Sequence, residues 1–116
     1  MRQPAKEPED LARFFVERIN DGDLEGVVAL YEVDAVLACG DSRSAIGREQ
    51  IRSFYKLLLA DRPQFKPGVH APALRNGCIV LTSTILGNGD ITAEIARQQS
   101  DGNWLWAVDQ PAIGKG

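Results

Sequence analysis

No run in this sequence approaches the roughly eighteen apolar residues a membrane span needs, and the opening MRQPAKEPED is too polar for the apolar core of a signal peptide. A cytoplasmic protein is expected. Basic stripes are missing too. Thirteen Lys and Arg against sixteen Asp and Glu leave a net charge of −3 and a pI near 5.1; since phosphate contacts dominate nucleic-acid affinity, this balance speaks against such a partner. Cysteine is scarce. Cys39 and Cys78 stand far apart, neither with a second Cys or a His at metal-ligand spacing, so two small buried hydrophobes are expected rather than a metal site or a disulfide. No phosphate-binding glycine loop or Ser-His-Asp pattern stands out either. Neither a metal nor a cofactor is expected.

What remains is an ordinary globular composition, 44% hydrophobic and 25% charged, in 116 residues. A chain of that length forms one core. The expected domain spans 8–111, between a flexible N-terminus at 1–7 and a flexible C-terminus at 112–116.

The segment from Ile19 to Leu37 organises the rest. Asn20-Asp21-Gly22 stops a first helix over 8–19, whose apolar side is Leu11, Phe14, Phe15 and Ile19. Asp23 can cap a second helix from Leu24 to about Glu32, with Leu24, Val27, Val28 and Tyr31 on one side. Residues 34–39 read as a buried strand ending at Gly40-Asp41-Ser42, and 44–46 as a short antiparallel return. Gly47 opens a third helix with an apolar stripe of Ile51, Phe54, Tyr55, Leu58 and Leu59, in which Arg48 and Glu49 read as solvated charges. Four strands follow, at 64–75, 78–86, 91–99 and 104–110, separated by Asn-Gly and Asp-Gly turn signals. Pro67 and Pro72 place the first of them at an edge. The expected fold is α+β: three N-terminal helices packed on a strongly curved, mainly antiparallel sheet of about six strands, a cone-shaped barrel.

This order, with Asn20-x-Gly22-Asp23-Leu24-x-Gly26-Val27-Val28-Ala29-Leu30-Tyr31, Asp34-Ala35-Val36, Gly47-Arg48-x-x-Ile51-Arg52-x-Phe54-Tyr55 and the closing Arg97, Asp101-Gly102-x-Trp104 and Asp109-x-Pro111, resembles the nuclear transport factor 2-like superfamily. That group includes ketosteroid isomerases and SnoaL-like polyketide cyclases. The resemblance covers nearly the whole chain and implies a cone-shaped fold holding a small molecule. It also implies a departure. The isomerases' tyrosine donor falls at Phe15 and their aspartate base at Cys39, and neither residue can perform those tasks, so steroid isomerisation is not expected. Glu94 lies near the family's second acid.

Hairpin register supplies candidate residues independently. With loops of even length and no bulge, opposite residues keep a constant index sum, which sets His70, Ser83, Glu94 and Asp109 in one row. Leu81, Ile85, Ala96, Leu105 and Ala107 share that face. Two facing carboxyls among apolar neighbours cannot both ionise cheaply, and one should hold its proton towards neutral pH. Asp109 and Glu94 are therefore the candidate acid/base pair, His70 a proton relay and Ser83 a hydrogen-bond partner. A solvated polar surface would give the same row. The other face collects Val80, Thr82, Ile91, Ile95, Arg97, Trp104, Trp106 and Val108. A second apolar face suggests a homodimer through the outer side of the sheet, and periodicity does not say which face lines the pocket. If it is the second, Arg97 and Trp106 contact the ligand; Phe15, Tyr31 and Tyr55 approach it from the helices. The expected function is binding of a small, largely apolar organic molecule in the manner of SnoaL-like proteins, with or without cofactor-free isomerase, cyclase or hydratase chemistry. The alternative is a non-catalytic small-molecule binding or dimerisation module.

Overall fold

The computed structural model describes residues 2–40 and 42–115; Met1 and Gly116, from the expected flexible ends, and Asp41, from the expected turn, lie outside it. Three helices, α1 (Asp10–Asn20), α2 (Leu24–Val28) and α3 (Gly47–Leu59), accompany eight strands: β1 (Tyr31–Ala38), β2 (Ser44–Ile46), β3 (Val69–His70), β4 (Leu74–Asn76), β5 (Ile79–Thr82), β6 (Thr84–Ile85), β7 (Asp90–Gln98) and β8 (Trp104–Lys115). The fold is α+β with a curved sheet, but among the described residues that sheet has eight strands rather than about six and does not close into the expected cone-shaped barrel. The sheet runs β2-β1-β8-β7-β5-β4, with β6 and β3 branching from β7, and it stays open. It is mixed because β1 lies parallel to β8.

The extra strands come from interruptions. The strand expected over 64–75 survives only as β3 and β4, on either side of Pro72, which has no N–H for a ladder. The strand expected over 78–86 breaks at Ser83, after which the Thr84 N–H bonds the Thr92 hydroxyl at 3.0 Å instead of a backbone carbonyl. At the far end β8 continues through 112–115, where Lys115 pairs with Asp90. Near the start, Ala5 is buried and its carbonyl accepts from the Trp104 N–H.

α1 buries Leu11, Phe14 and Ile19, and α2 opens at Asp23, whose carboxylate accepts from the Gly26 N–H at 3.0 Å. Expected to reach Glu32, α2 instead stops at Val28, so Tyr31 and Glu32 belong to β1. Distant partners explain the early stop. The Trp106 N–H donates to the Leu30 carbonyl, and the Arg48 guanidinium donates twice, at 2.8 and 2.6 Å, to the Tyr31 carbonyl. Arg48 is thus a half-buried clamp rather than a solvated charge. The core gathers Leu11, Ile19, Val27, Tyr31, Leu37, Ile51 and Val80, all essentially without exposure. The cysteines are not both in it: Cys39 is half-buried and Cys78 exposed, each a free thiol. Among the described residues no helix is long and apolar enough to cross a membrane.

Candidate ligand-binding cavity

Register decides which side chains share a face. Glu94 of β7 pairs with Asp109 of β8, as counted, yet the hairpin turns through three residues rather than two, with Gln98 opposite Trp104. Gly102, at φ +86°, supplies the left-handed residue such a loop needs. A bulge at Ala107, between the pairs Ala96–Trp106 and Ile95–Val108, then restores the register. The hairpin before β7 also turns through three residues, 87–89, because the Leu86 N–H bonds the Asp90 carbonyl. No bulge compensates there. Thr82, not Ser83, therefore faces Glu94, and Thr84, not Ser83, faces His70.

The bulge also moves the tryptophans. Trp104 and Trp106 lie buried on the same face as the two acids, whereas Arg97, Leu105, Leu81 and Val108 point to the outer side. The acid-bearing face lines a cavity of about 480 Å³. Phe15 and Val16 of α1, Tyr55 of α3, Phe65 and Pro67 of the following loop, and Trp106 make its apolar walls; Thr84, Thr92, Glu94 and Asp109 bring the buried polar groups, and exposed His70 and Lys66 stand at its edge.

Asp109 is only 5% exposed and Glu94 6%. Burial pushes the Asp109 carboxyl up to about 7; the Tyr31 hydroxyl, which donates to it at 2.5 Å, opposes that shift and the charge of Glu94 adds to it. Glu94 is raised by burial as well, but the Thr92 and Thr82 hydroxyls and the charge of His70 favour its anion; Thr82 donates at 2.7 Å. Behind Asp109, Tyr31 is wholly buried and shares a 2.6 Å hydrogen bond with Tyr55. With Tyr31 donating to Asp109, its oxygen is left to accept from Tyr55. Burial raises both phenols well above their ordinary value, so they stay protonated. The Trp106 indole N–H is buried without an acceptor among the described residues.

The structure thus brings Asp109, Glu94, His70, Phe15, Tyr55 and Trp106 to one cavity. Tyr31 stands behind it. Ser83 turns away and donates to the Thr92 carbonyl at 2.7 Å, and Arg97 pairs on the outer side with Glu32 at 3.0 Å. His70 bonds the Thr84 hydroxyl through Nδ1 at 2.9 Å, so it is tied to Thr84 rather than to either acid. Sequence reasoning missed Thr82 and Thr92, whose nearest signal was the turn chemistry of Gly87-Asn88-Gly89. It also missed Phe65, for which periodicity carries no signal.

No protein-family model matches the sequence, and no curated protein matches it either. Solved structures do. A putative calcium/calmodulin-dependent protein kinase type II association domain from Thiobacillus denitrificans superposes with a TM-score of 0.71 at 14% identity, over 95% of this chain and 98% of that one. A ketosteroid isomerase-like protein from Erwinia carotovora atroseptica gives 0.69 at 17% identity, over 91% and 93%. A nuclear transport factor 2-like protein of unknown function from Shewanella oneidensis MR-1 gives 0.69 at 14% identity, over 88% and 93%. The chain has the nuclear transport factor 2-like fold. Identities this low speak to fold alone. Of the two positions that carry the isomerases' chemistry by resemblance, Phe15 lines the cavity of this chain, and Cys39 lies on a separate hollow of about 370 Å³ with Arg43 and Phe54.

Proposed function

We propose that this chain binds a compact, largely apolar organic molecule in the cavity and performs cofactor-free acid/base chemistry on it, of the isomerase, cyclase or hydratase type. The observation that carries the reading is the pairing of two buried carboxyls, Glu94 and Asp109, on one wall of a largely apolar cavity. Their surroundings divide the work. Asp109, holding its proton to about 7, is the acid; Glu94, with hydroxyl donors and His70 favouring its anion, is the base. His70 at the mouth exchanges protons with solvent. Phe15, Trp106 and Tyr55 contact the ligand's apolar body. Isomerisation of ketosteroids by the family's own groups is not part of this reading, because Phe15 has no proton to donate and Cys39 is off the cavity.

The test is exchange of the α-hydrogens of 2-tetralone in D2O, followed by proton NMR. The wild type should accelerate exchange over buffer at the same pH, and Glu94→Gln should lose about a hundredfold of that acceleration. A wild type no faster than buffer removes the chemistry and leaves the binding.

A second reading, a dimerisation module, rests on the outer side of the sheet. Ile79, Leu81 and Val108 are 39–42% exposed there, beside half-buried Ile95 and Leu105. An apolar sheet face of this kind suits a second copy of the chain, and one neighbour in fold is described as an association domain. The two readings are compatible, since the acids and the outer face lie on opposite sides of the sheet.

A further inference from the structure

The wall of the cavity formed by 63–68 differs in construction from the others. Its other walls are α1, α3 and the hydrogen-bonded strands. Residues 63–68 belong to no helix or strand and make no backbone-to-backbone hydrogen bond among the described residues. One side chain ties the middle of this strap down. Asn20, the last residue of α1, donates through Nδ2 to the Phe65 carbonyl at 2.9 Å and accepts at Oδ1 from the Phe65 N–H at 2.7 Å. A single carboxamide thus imitates one rung of a β-ladder. Gln64 adds a weaker bond, 3.3 Å, to the Asn20 carbonyl.

Both ends of the strap are fixed by other means. At one end the Arg62 N–H bonds the Leu59 carbonyl, closing α3, and Arg62 takes the left-handed φ of 50°. At the other, Gly68 lies so close to β6 that a Cβ would come within 2.6 Å of the Ile85 carbonyl oxygen, and β3 pairs from Val69 onwards. Between these ends Phe65 leans on Phe15 across the cavity, ring centroids 6.0 Å apart, with Lys66, Pro67 and Gly68 completing the wall. Beyond these bonds, what holds the strap among the described residues is the partial burial of Phe65 against the core. Segments with few backbone hydrogen bonds and partial burial open at low free energy.

We propose that the strap is a movable wall of the ligand cavity, with Asn20 as its latch and Phe65 as the side chain that closes it. This inference rests on the cavity being a ligand site. Breaking the two Asn20 bonds lets Phe65 leave Phe15 without disturbing the sheet that carries Glu94 and Asp109. Entry and exit of ligand are then set by the latch, and affinity by the remaining walls.

The test follows binding of N-phenyl-1-naphthylamine, a neutral fluorescent probe, by stopped flow to the wild type, Asn20→Ala and Asn20→Asp. The aspartate keeps an acceptor for the Phe65 N–H but at neutral pH sets a bare oxygen against the Phe65 carbonyl. In both variants entry and exit rates should rise together, by about tenfold for each net hydrogen bond lost, while the Kd changes much less. Unchanged rates in a folded variant overturn the latch and leave the cavity intact; a wild type that does not take the probe removes the cavity reading and the latch with it. Amide exchange in the unmodified protein supplies the measurement if a variant does not fold. The Phe65 N–H should exchange well before the Ile51 N–H of the buried α3 face, and exchange of both together, only on global unfolding, would contradict a movable strap.

Discussion

Asp109 concentrates the physical tension of the site. Folded, it keeps its proton to about 7; unfolded, an aspartate releases it near 3.9. Between those values the folded state binds more protons, so stability falls as pH rises from about 4 to about 7 and stays at its lower level above that. A shift of roughly three units sets a ceiling of about 4 kcal/mol on the effect. Asp109→Asn retains an oxygen for Tyr31 and cannot ionise. Urea denaturation should therefore find the variant gaining on the wild type between pH 5 and pH 8, with its own pH profile flatter. Two neighbours move the same carboxyl in opposite directions. Tyr31→Phe removes the donor that favours the anion and should raise the Asp109 midpoint above its wild-type value, whereas Glu94→Gln removes a nearby negative charge and should lower it; carboxyl carbon NMR reads both. Sequence alone placed these two acids opposite each other but could not order their acidities. That ordering depends on the depth at which Asp109 is buried and on the Thr82 and Thr92 donors to Glu94, which tertiary contacts deliver.

At the level of elements, the register of β7 on β8 explains what was legible and what was not. The Glu94–Asp109 pair was correctly counted although its premises, an even loop and no bulge, both failed. The three-residue turn shifted the sum by one, and the bulge at Ala107 shifted it back. Ser-Asp-Gly-Asn is compatible with either loop length, and no residue preference marks Ala107 as a bulge, so neither offset could be read in advance. The tryptophans, which lie before the bulge, landed on the wrong face for that reason. At 87–89 only the loop offset applies, so Thr82 stands where an even loop would put Ser83. The early end of α2 is similar: its helical spacing of apolar residues was real, but Arg48 and Trp106 hold the Leu30 and Tyr31 carbonyls from outside. Deletion of Ala107 provides a direct check. Without the extra residue the ladder runs regularly from Ala96–Trp106 through Ile95–Val108 to Glu94–Asp109, so the deletion keeps both acids and both tryptophans on the inner face and should unfold cooperatively within about 2 kcal/mol of the wild type. Loss of the cooperative urea transition would show that β8 needs more than its pairing register to hold Asp109 in place.

For the molecule as a whole, the α+β order was readable because α1 and α3 carry a clear apolar side and the hairpin turns before β5, β7 and β8 each carry a glycine. The open sheet was less so, since interruptions at Pro72 and Ser83 and a parallel β1–β8 pairing depend on partners far along the chain. The sheet has two different sides: an inner face with buried acids beside a cavity, and an outer face with exposed Leu81 and Val108. If the outer face joins two copies, light scattering on a sizing column should give twice 12.7 kDa for the wild type, and Leu81→Lys with Val108→Lys should give the single mass without loss of helix signal. A wild type at the single mass would leave the outer face without its proposed partner. The central claim, an apolar cavity whose buried carboxyl serves a neutral ligand, is tested most directly by titrating the Asp109 carboxyl carbon with and without N-phenyl-1-naphthylamine. The account predicts a midpoint near 7 that moves when the probe binds; a midpoint near 4, indifferent to the probe, would contradict it.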